Sequence, residues 1–225
     1  ITLSISIVGT IIGLIIGLAI GVFRTAPLSE NKAIYSLQKL VGWILNVYIE
    51  IFRGTPMIVQ SMVIYYGTAQ AFGINLDRTL AAIFIVSINT GAYMTEIVRG
   101  GILAVDKGQF EAATALGMTH NQTMRKIVLP QVVRNILPAT GNEFVINIKD
   151  TSVMFIIGFT EFFAFHRYIT GVNNLYFPSA AIEMIGYLCM TLIASFLLRW
   201  LEKHMDGNDS YELVQDDSLA LSAGT

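Results

Sequence analysis

The sequence predicts an all-α membrane protein that crosses the bilayer five times, with its N-terminus outside and its C-terminus in the cytoplasm. Three observations carry this. Of the 225 residues 54% are hydrophobic and only 13% charged, at a mean hydropathy of +0.61, which is too much apolar surface for an ordinary soluble domain. The apolar stretches reach the ~20 residues that a helix needs to cross hydrocarbon. The Lys and Arg residues gather in alternate connections, as the positive-inside rule requires.

The first span is residues 1–23, which hold no charge. Within it Gly9, Gly13, Gly17 and Gly21 recur every four residues and form a ridge on which another helix can pack closely in lipid. The stretch begins at Ile1 without an initiator Met, a basic leader or a cleavage motif, and reads as a span of a chain whose native N-terminus is incomplete. The second span, 40–72, contains Glu50, Arg53 and then Gly54-Thr55-Pro56. Pro56 removes a backbone donor and disfavours helix at Thr55, so this span is expected to bend or break there, with Gly54 loosening the turn before it. Glu50 and Arg53 are three apart, near enough on a helix to pair.

The third span, 79–98, carries a small-residue ridge of Ser87, Gly91 and Thr95 plus the polar Asn89 and Glu96, so it should be surrounded by protein. Residues 99–129 hold no run long enough to cross and form a large loop. The fourth span, 131–159, is interrupted by Arg134, Glu143, Lys149 and Asp150. An aromatic-rich connection, 162–177, contains His166 and Arg167, and the fifth span is 178–201 with Arg199 and Lys203 at its end. Residues 1–205 thus form one membrane domain, and the acidic segment 206–225 is expected to be a solvated cytoplasmic tail.

Orientation follows from the basic residues. With the N-terminus outside, Arg24, Lys32, Lys39, Arg53, Arg99, Lys107, Arg125, Lys126, Arg134, Arg199 and Lys203 fall in or beside cytoplasmic segments, against Arg78 and Arg167 outside. Lys149 stays in the membrane, and the 99–129 loop faces the cytoplasm.

Several function classes drop out. A net charge of -2 gives no basic field for nucleic acid. The single Cys189 has no partner for a disulfide or a metal site, and no metal-ligand or catalytic spacing occurs. No Gly-x-x-x-x-Gly-Lys-Ser/Thr phosphate loop exists, so any ATP this chain depends on is hydrolysed by another polypeptide.

Between Gly108 and Pro130 the signals are for two short helices with a turn at Gly117. Gly117 can take the left-handed conformation that ends a helix, while Thr119 and Gln122 are spaced for a capping box on the next. Pro130 is expected to close that second helix and open the following span. The first short helix offers the small Glu111-flanking residues Ala112, Ala113 and Ala115, with Phe110 and Leu116 as apolar anchors. On physics alone it is either a docking element or a polar connector.

In the fourth span Thr140, Glu143, Asn147, Asp150 and Thr151 lie at relative positions 0, 3, 7, 10 and 11, one face of a helix. Charges at the bilayer centre cost about 2.5–3.5 kcal/mol on insertion scales, so Glu143, Lys149 and Asp150 need water or protein partners. Two readings satisfy them: a translocation pathway lined by this face, or pairing of Glu143 with a neighbouring helix and of Lys149 and Asp150 with backbone at a helix break.

Glu111-Ala112-Ala113, then Gly117, then Ile127-Val128-Leu129-Pro130 resembles, at matching spacing, the EAA motif of binding-protein-dependent ABC importer permeases. Phe52-Arg53-Gly54-Thr55-Pro56, Ala92-Tyr93-Met94-Thr95-Glu96-Ile97-Val98-Arg99-Gly100-Gly101-Ile102, Gly108-Gln109 and Lys149-Asp150-Thr151-Ser152 resemble the polar amino-acid branch of those permeases. The resemblance covers nearly the whole chain except its acidic tail. It implies a type I ABC importer-like fold in a bacterial plasma membrane and a coupling helix seated in an ATPase groove, with Glu111, Ala112, Ala113, Leu116 and Gly117 in that role. It further implies two ATP-binding subunits, which hold the ATP and Mg while this chain carries no cofactor, a second permease protomer that is a copy or a homologue, and an external amino-acid-binding protein. Mixed charge along Thr140 to Thr151 would suit a zwitterionic amino acid, with Glu143 or Asp150 for the ammonium and Lys149 or Asn147 for the carboxylate.

A channel or ion-driven carrier is the main competitor, but it would need no long docking loop and would more typically show inverted repeats with broken helices in both halves. A membrane scaffold would leave the polar face of the fourth span without a purpose.

Overall fold

The computed structural model describes residues 1–205, and the tail 206–225 lies outside the described residues. Every regular element among the described residues is helical: α1 (Thr2–Thr25), α2 (Lys32–Gly54), α3 (Met57–Phe72), α4 (Arg78–Leu103), α5 (Lys107–Ala115), α6 (His120–Thr123), α7 (Leu129–Asp150), α8 (Phe162–Asn173) and α9 (Tyr176–Met205). A π-helical turn, Met124–Val128, joins α6 to α7, and a 3-10 segment, Thr151–Ile157, continues α7.

Close packing of α1 on α4 organises the bundle. A Cβ on Gly9 would lie 2.4 Å from Val86, on Gly13 2.7 Å from Thr90, on Gly17 2.4 Å from Met94 and on Gly21 2.7 Å from Val98. The register is constant and ascending in both helices, so α1 and α4 run parallel with their backbones as near as a Cβ-free seam allows. Gly91 leaves room on α4 for Ile16 and for the Tyr48 hydroxyl of α2, which donates to the Ile88 carbonyl at 2.6 Å.

Helix α7 runs the other way. Near its start Ile136 and Val132 fill the space over Gly101, and near its end Asn147 donates to Thr10 Oγ1 at 2.8 Å and accepts from Thr90 Oγ1 at 3.1 Å. Helix α9 reverses direction again, meeting Gly141 through Leu198 and the start of α8 through Gly186 and Tyr187. At that end Glu161 ties three elements: it accepts from Phe163 N at 2.7 Å, Tyr187 Oη at 2.8 Å and Thr2 Oγ1 at 3.3 Å. One apolar core (Ile5, Ala82, Ile85, Met154, Ile157) fills this end, and another (Val98, Ile102, Val128, Val132, Ile136) fills the end where α1 and α4 finish.

The expected second span is two helices. α2 begins at Lys32 rather than near residue 40 and climbs along α4 until Phe52 lies level with Asn89; after the break at Thr55 and Pro56, α3 continues to the core around Ile5 and Ile85. Among the described residues, only α1, α4 and α9 are long and apolar enough to cross a membrane by themselves. α3 has 16 residues, while α2 and α7 carry charged side chains along their length. The charges of α2 and α7 are ones that a lone span would have to set in lipid without partners.

Other boundaries shift for local reasons. The fourth span is helical only to Asp150 and tightens into the 3-10 segment, which Gly158 ends with φ 71°. The connection after it contains α8, capped by the Glu161 side chain. The second short loop helix does not close at Pro130. Proline cannot donate and its ring crowds the carbonyl one turn back; the chain answers with the wide π turn, in which Leu129 N–H reaches Met124 O.

Candidate functional site

Within 99–129, α4 continues to Leu103, and α5 and α6 follow with a left-handed turn at Gly117 between them. Asp106 caps α5, accepting from Gly108 N at 2.7 Å. The helix ends in a Schellman arrangement, with Met118 N donating to Ala113 O at 3.0 Å and Gly117 N to Thr114 O at 2.9 Å. Gly117 has φ 73° and no atom near its Cβ position, so glycine is needed there for backbone conformation rather than for space. Thr119 and Gln122 form both halves of the capping box of α6.

The faces of α5 separate the predicted docking residues. Ala113 is 1% exposed, and Phe110 packs against the core that holds Val105 and Met124. These two face the chain's own interior. Glu111, Ala112 and Gly117 are exposed, and Leu116 projects with 79% of its surface free. A large apolar side chain left free at a helix end is a feature that docking surfaces use. Close by, Glu96 of α4 pairs with Arg24 of α1 and, at 2.8 Å, with Arg99, pinning the ends of both helices above the loop.

The second constellation surrounds the break between α2 and α3. A cavity of about 270 Å³ is lined by Thr55, Pro56, Met57, Asn89, Tyr93, Glu143, Ile146, Asn147 and Asp150. Pro56 starts α3, and Gln60 satisfies the break: its Nε2 donates to Thr55 O at 2.8 Å, Thr55 Oγ1 at 2.9 Å and Phe52 O at 3.0 Å. Asn89 Nδ2 in turn donates to Gln60 Oε1 at 2.8 Å. Gly54 has open space around its Cβ position, so the break does not rest on its lack of a side chain. Arg53 does not form an ion pair with Glu50; its guanidinium lies 5.6 Å from the centre of the Tyr93 ring, at the edge of the same cavity.

Of the predicted polar face of α7, the cavity receives Glu143 and Asp150, and Asn147 forms part of its wall. Asn147 is only 3% exposed, with its amide engaged by Thr10 and Thr90. Thr151 is buried and donates to Ile148 O at 2.9 Å, and Thr140 contacts Met94 Sδ at 3.9 Å. Lys149 is exposed and outside the cavity lining. Sequence reasoning missed Gln60 and Tyr93 as parts of this site. A glutamine four residues after the proline, inside an apolar run, was the available signal for the first.

The cavity can do definite chemistry. Two carboxylates and an aromatic face suit an ammonium group. Opposite them, the first amides of α3 lack intrahelical acceptors and carry the positive end of the helix dipole.

The family model described as "Binding-protein-dependent transport system inner membrane component" matches residues 9–207. The chain is 41% identical over 169 residues to "Glutamine transport system permease protein GlnP" of Escherichia coli (strain K12), covering 73% of this chain and 77% of that protein. It is 35% identical over 167 residues to "Arginine transport system permease protein ArtQ" of Bacillus subtilis (strain 168), covering 74% and 76%. Among solved structures it resembles one described as "Crystal structure of an amino acid ABC transporter with histidines", with 39% identity, a TM-score of 0.77 and 90% of each chain covered. A methionine ABC transporter in an inward-facing conformation shares the fold at 20% identity and a TM-score of 0.71.

Proposed function

The chain belongs to the family of binding-protein-dependent transport system inner membrane components, and from that premise we propose how its residues couple an external energy source to amino-acid passage. It is the non-catalytic, membrane-spanning permease subunit of an ABC amino-acid importer in a bacterial inner membrane.

The proposed coupling element is α5. Leu116, Glu111, Ala112 and Gly117 seat in a groove of an ATP-binding subunit, while Ala113 and Phe110 fasten the same helix to the core under α4 and α7. Force on Leu116 therefore reaches the bundle without a flexible joint. The observation that carries this is the division of α5 into one buried face and one projecting anchor. Two such ATPases, closing on ATP and Mg, would rock this protomer and its copy or homologue between inward-facing and outward-facing states by rigid-body motion. The external binding protein delivers substrate at the opposite end.

Five crossings are proposed: α1, α2 with α3, α4, α7 with its 3-10 continuation, and α9, the N-terminus being outside. The alternating directions of these helices and the basic residues at one end support this arrangement. The break between α2 and α3 then lies inside the bilayer and faces the cavity, a placement favoured for substrate sites in discontinuous spans. The substrate is a polar amino acid such as glutamine or arginine, its ammonium set against Glu143 and Asp150 and its carboxylate toward the amides at the start of α3. Lys149, outside the lining, and Thr140 and Thr151, turned into the bundle, have supporting places in that pathway.

The test is uptake by the complete transporter in proteoliposomes with Glu143→Gln and Asp150→Asn. Each should lower the apparent affinity or rate by about tenfold, the loss of one charge-assisted contact, while ATP hydrolysis without substrate persists. Unchanged uptake in both variants would overturn the assignment of the cavity.

A further inference from the structure

We propose that the cleft between the inner ends of α1 and α2 binds the phosphate headgroup of an anionic phospholipid. The cleft has a volume of about 380 Å³, and the side chains that face it include Arg24, Gln38, Lys39, Trp43 and Asn46. No carboxylate is among its lining residues. Glu96, which pairs with Arg24 from behind, is shared with Arg99, so two guanidinium groups stand against one carboxylate and Lys39 adds a further positive charge. Arg24 keeps part of its five-donor fork free for a second anion.

Each wall has a part. Gln38 builds the rim: its Oε1 accepts from Ser29 N at 2.8 Å and its Nε2 reaches Pro27 O at 3.5 Å, folding the 27–29 turn over the cleft. Lys39, poised over the Tyr35 ring at 4.8 Å, and the exposed Asn46 amide supply donors from the α2 side. Arg24 supplies them from the α1 side.

A lipid fits better than free phosphate because the cleft opens onto an apolar strip. Trp43, 63% exposed, stands at its mouth, and Leu40 and Val47, one turn to either side on α2, are exposed as well. An amphipathic indole at a cationic cleft with apolar residues along the same face matches a headgroup in the cleft and acyl chains on the helix. Basic pockets between membrane helices at the cytoplasmic side recognise such headgroups. The choice of leaflet rests on the orientation proposed above; the site itself does not.

The complete transporter in nanodiscs is labelled with photoreactive phosphatidylglycerol or photoreactive phosphatidylcholine, and the modified peptides are mapped. Segment 37–47 should take up phosphatidylglycerol about fivefold more than phosphatidylcholine, the effect of about one cation at the surface. Lys39→Ala should bring that ratio to about one, Lys39→Arg should keep it, and Lys32→Ala, exposed and outside the cleft, should leave it unchanged. Equal labelling by the two lipids would overturn the proposal. So would loss of labelling on adding excess inorganic phosphate, which would assign the cleft to the free ion, or cross-linking of the segment to the other permease protomer. A cysteine at Lys32 probed with an impermeant reagent reads orientation separately: reaction from outside would reverse the leaflet while leaving the lipid preference in place.

Discussion

Asn147 stands in the wall of the cavity with its amide engaged by two hydroxyls of other helices. Its place on a polar helical face is legible in the sequence, but its partners, Thr10 and Thr90, are distant residues whose own polarity gives no pairing signal. Buried amides go first to buried hydroxyls, since leaving either unpaired costs about 1–3 kcal/mol. Asn147→Ala should accordingly lower the stability of the bundle by about 1–3 kcal/mol, seen as a reduced unfolding midpoint in detergent. In a double-mutant cycle, Thr90→Val should cost less in the Asn147→Ala background than alone; additive losses would show that the contact is not made. Ala113 gives the same lesson in reverse. Smallness signals close approach, but not whether the surface that approaches is a partner or the chain's own core.

Elements with local causes were legible. The glycine ridge of α1, the capping box at Thr119 and the left-handed turn at Gly117 each follow from a spacing or a backbone requirement, and each is where the sequence puts it. The break near Pro56 was legible too, though not that it separates two helices whose free groups are gathered by Gln60. Helices α7 and α8 were harder, because α7 needs the bundle to offset its charges and α8 is capped by a carboxylate that also binds α1 and α9. Gln60→Ala should be costly at the element scale. Three acceptors at the break lose a donor and Asn89 loses one of its two acceptors, so a stability loss of about 2–4 kcal/mol is expected. A loss no larger than that of an exposed substitution on α3 would show that the break does not depend on the amide.

At the scale of the whole molecule, two packed ends have different tasks. The core around Ile5, Ile85 and Met154 and the Glu161 contacts fix the ends of α1, α8 and α9, while the core around Val98 and Val132 joins α1, α4 and α7 to Phe110 of α5, the route that the proposed push at the loop would take. The cavity sits between these ends, beside the one discontinuity in the bundle's climbing limb. The central claim is that energy enters through Leu116, and uptake driven by ATP in proteoliposomes holding the permease, its ATPases and the binding protein tests it most directly. Leu116→Asp, placing a charge on the exposed anchor without touching the buried face of α5, should leave the permease folded at its wild-type midpoint and reduce ATP-driven uptake at least about tenfold, the loss of an apolar hot spot. Wild-type uptake by that variant, or uptake by the unmodified chain with neither ATP nor the ATPases present, would contradict the account.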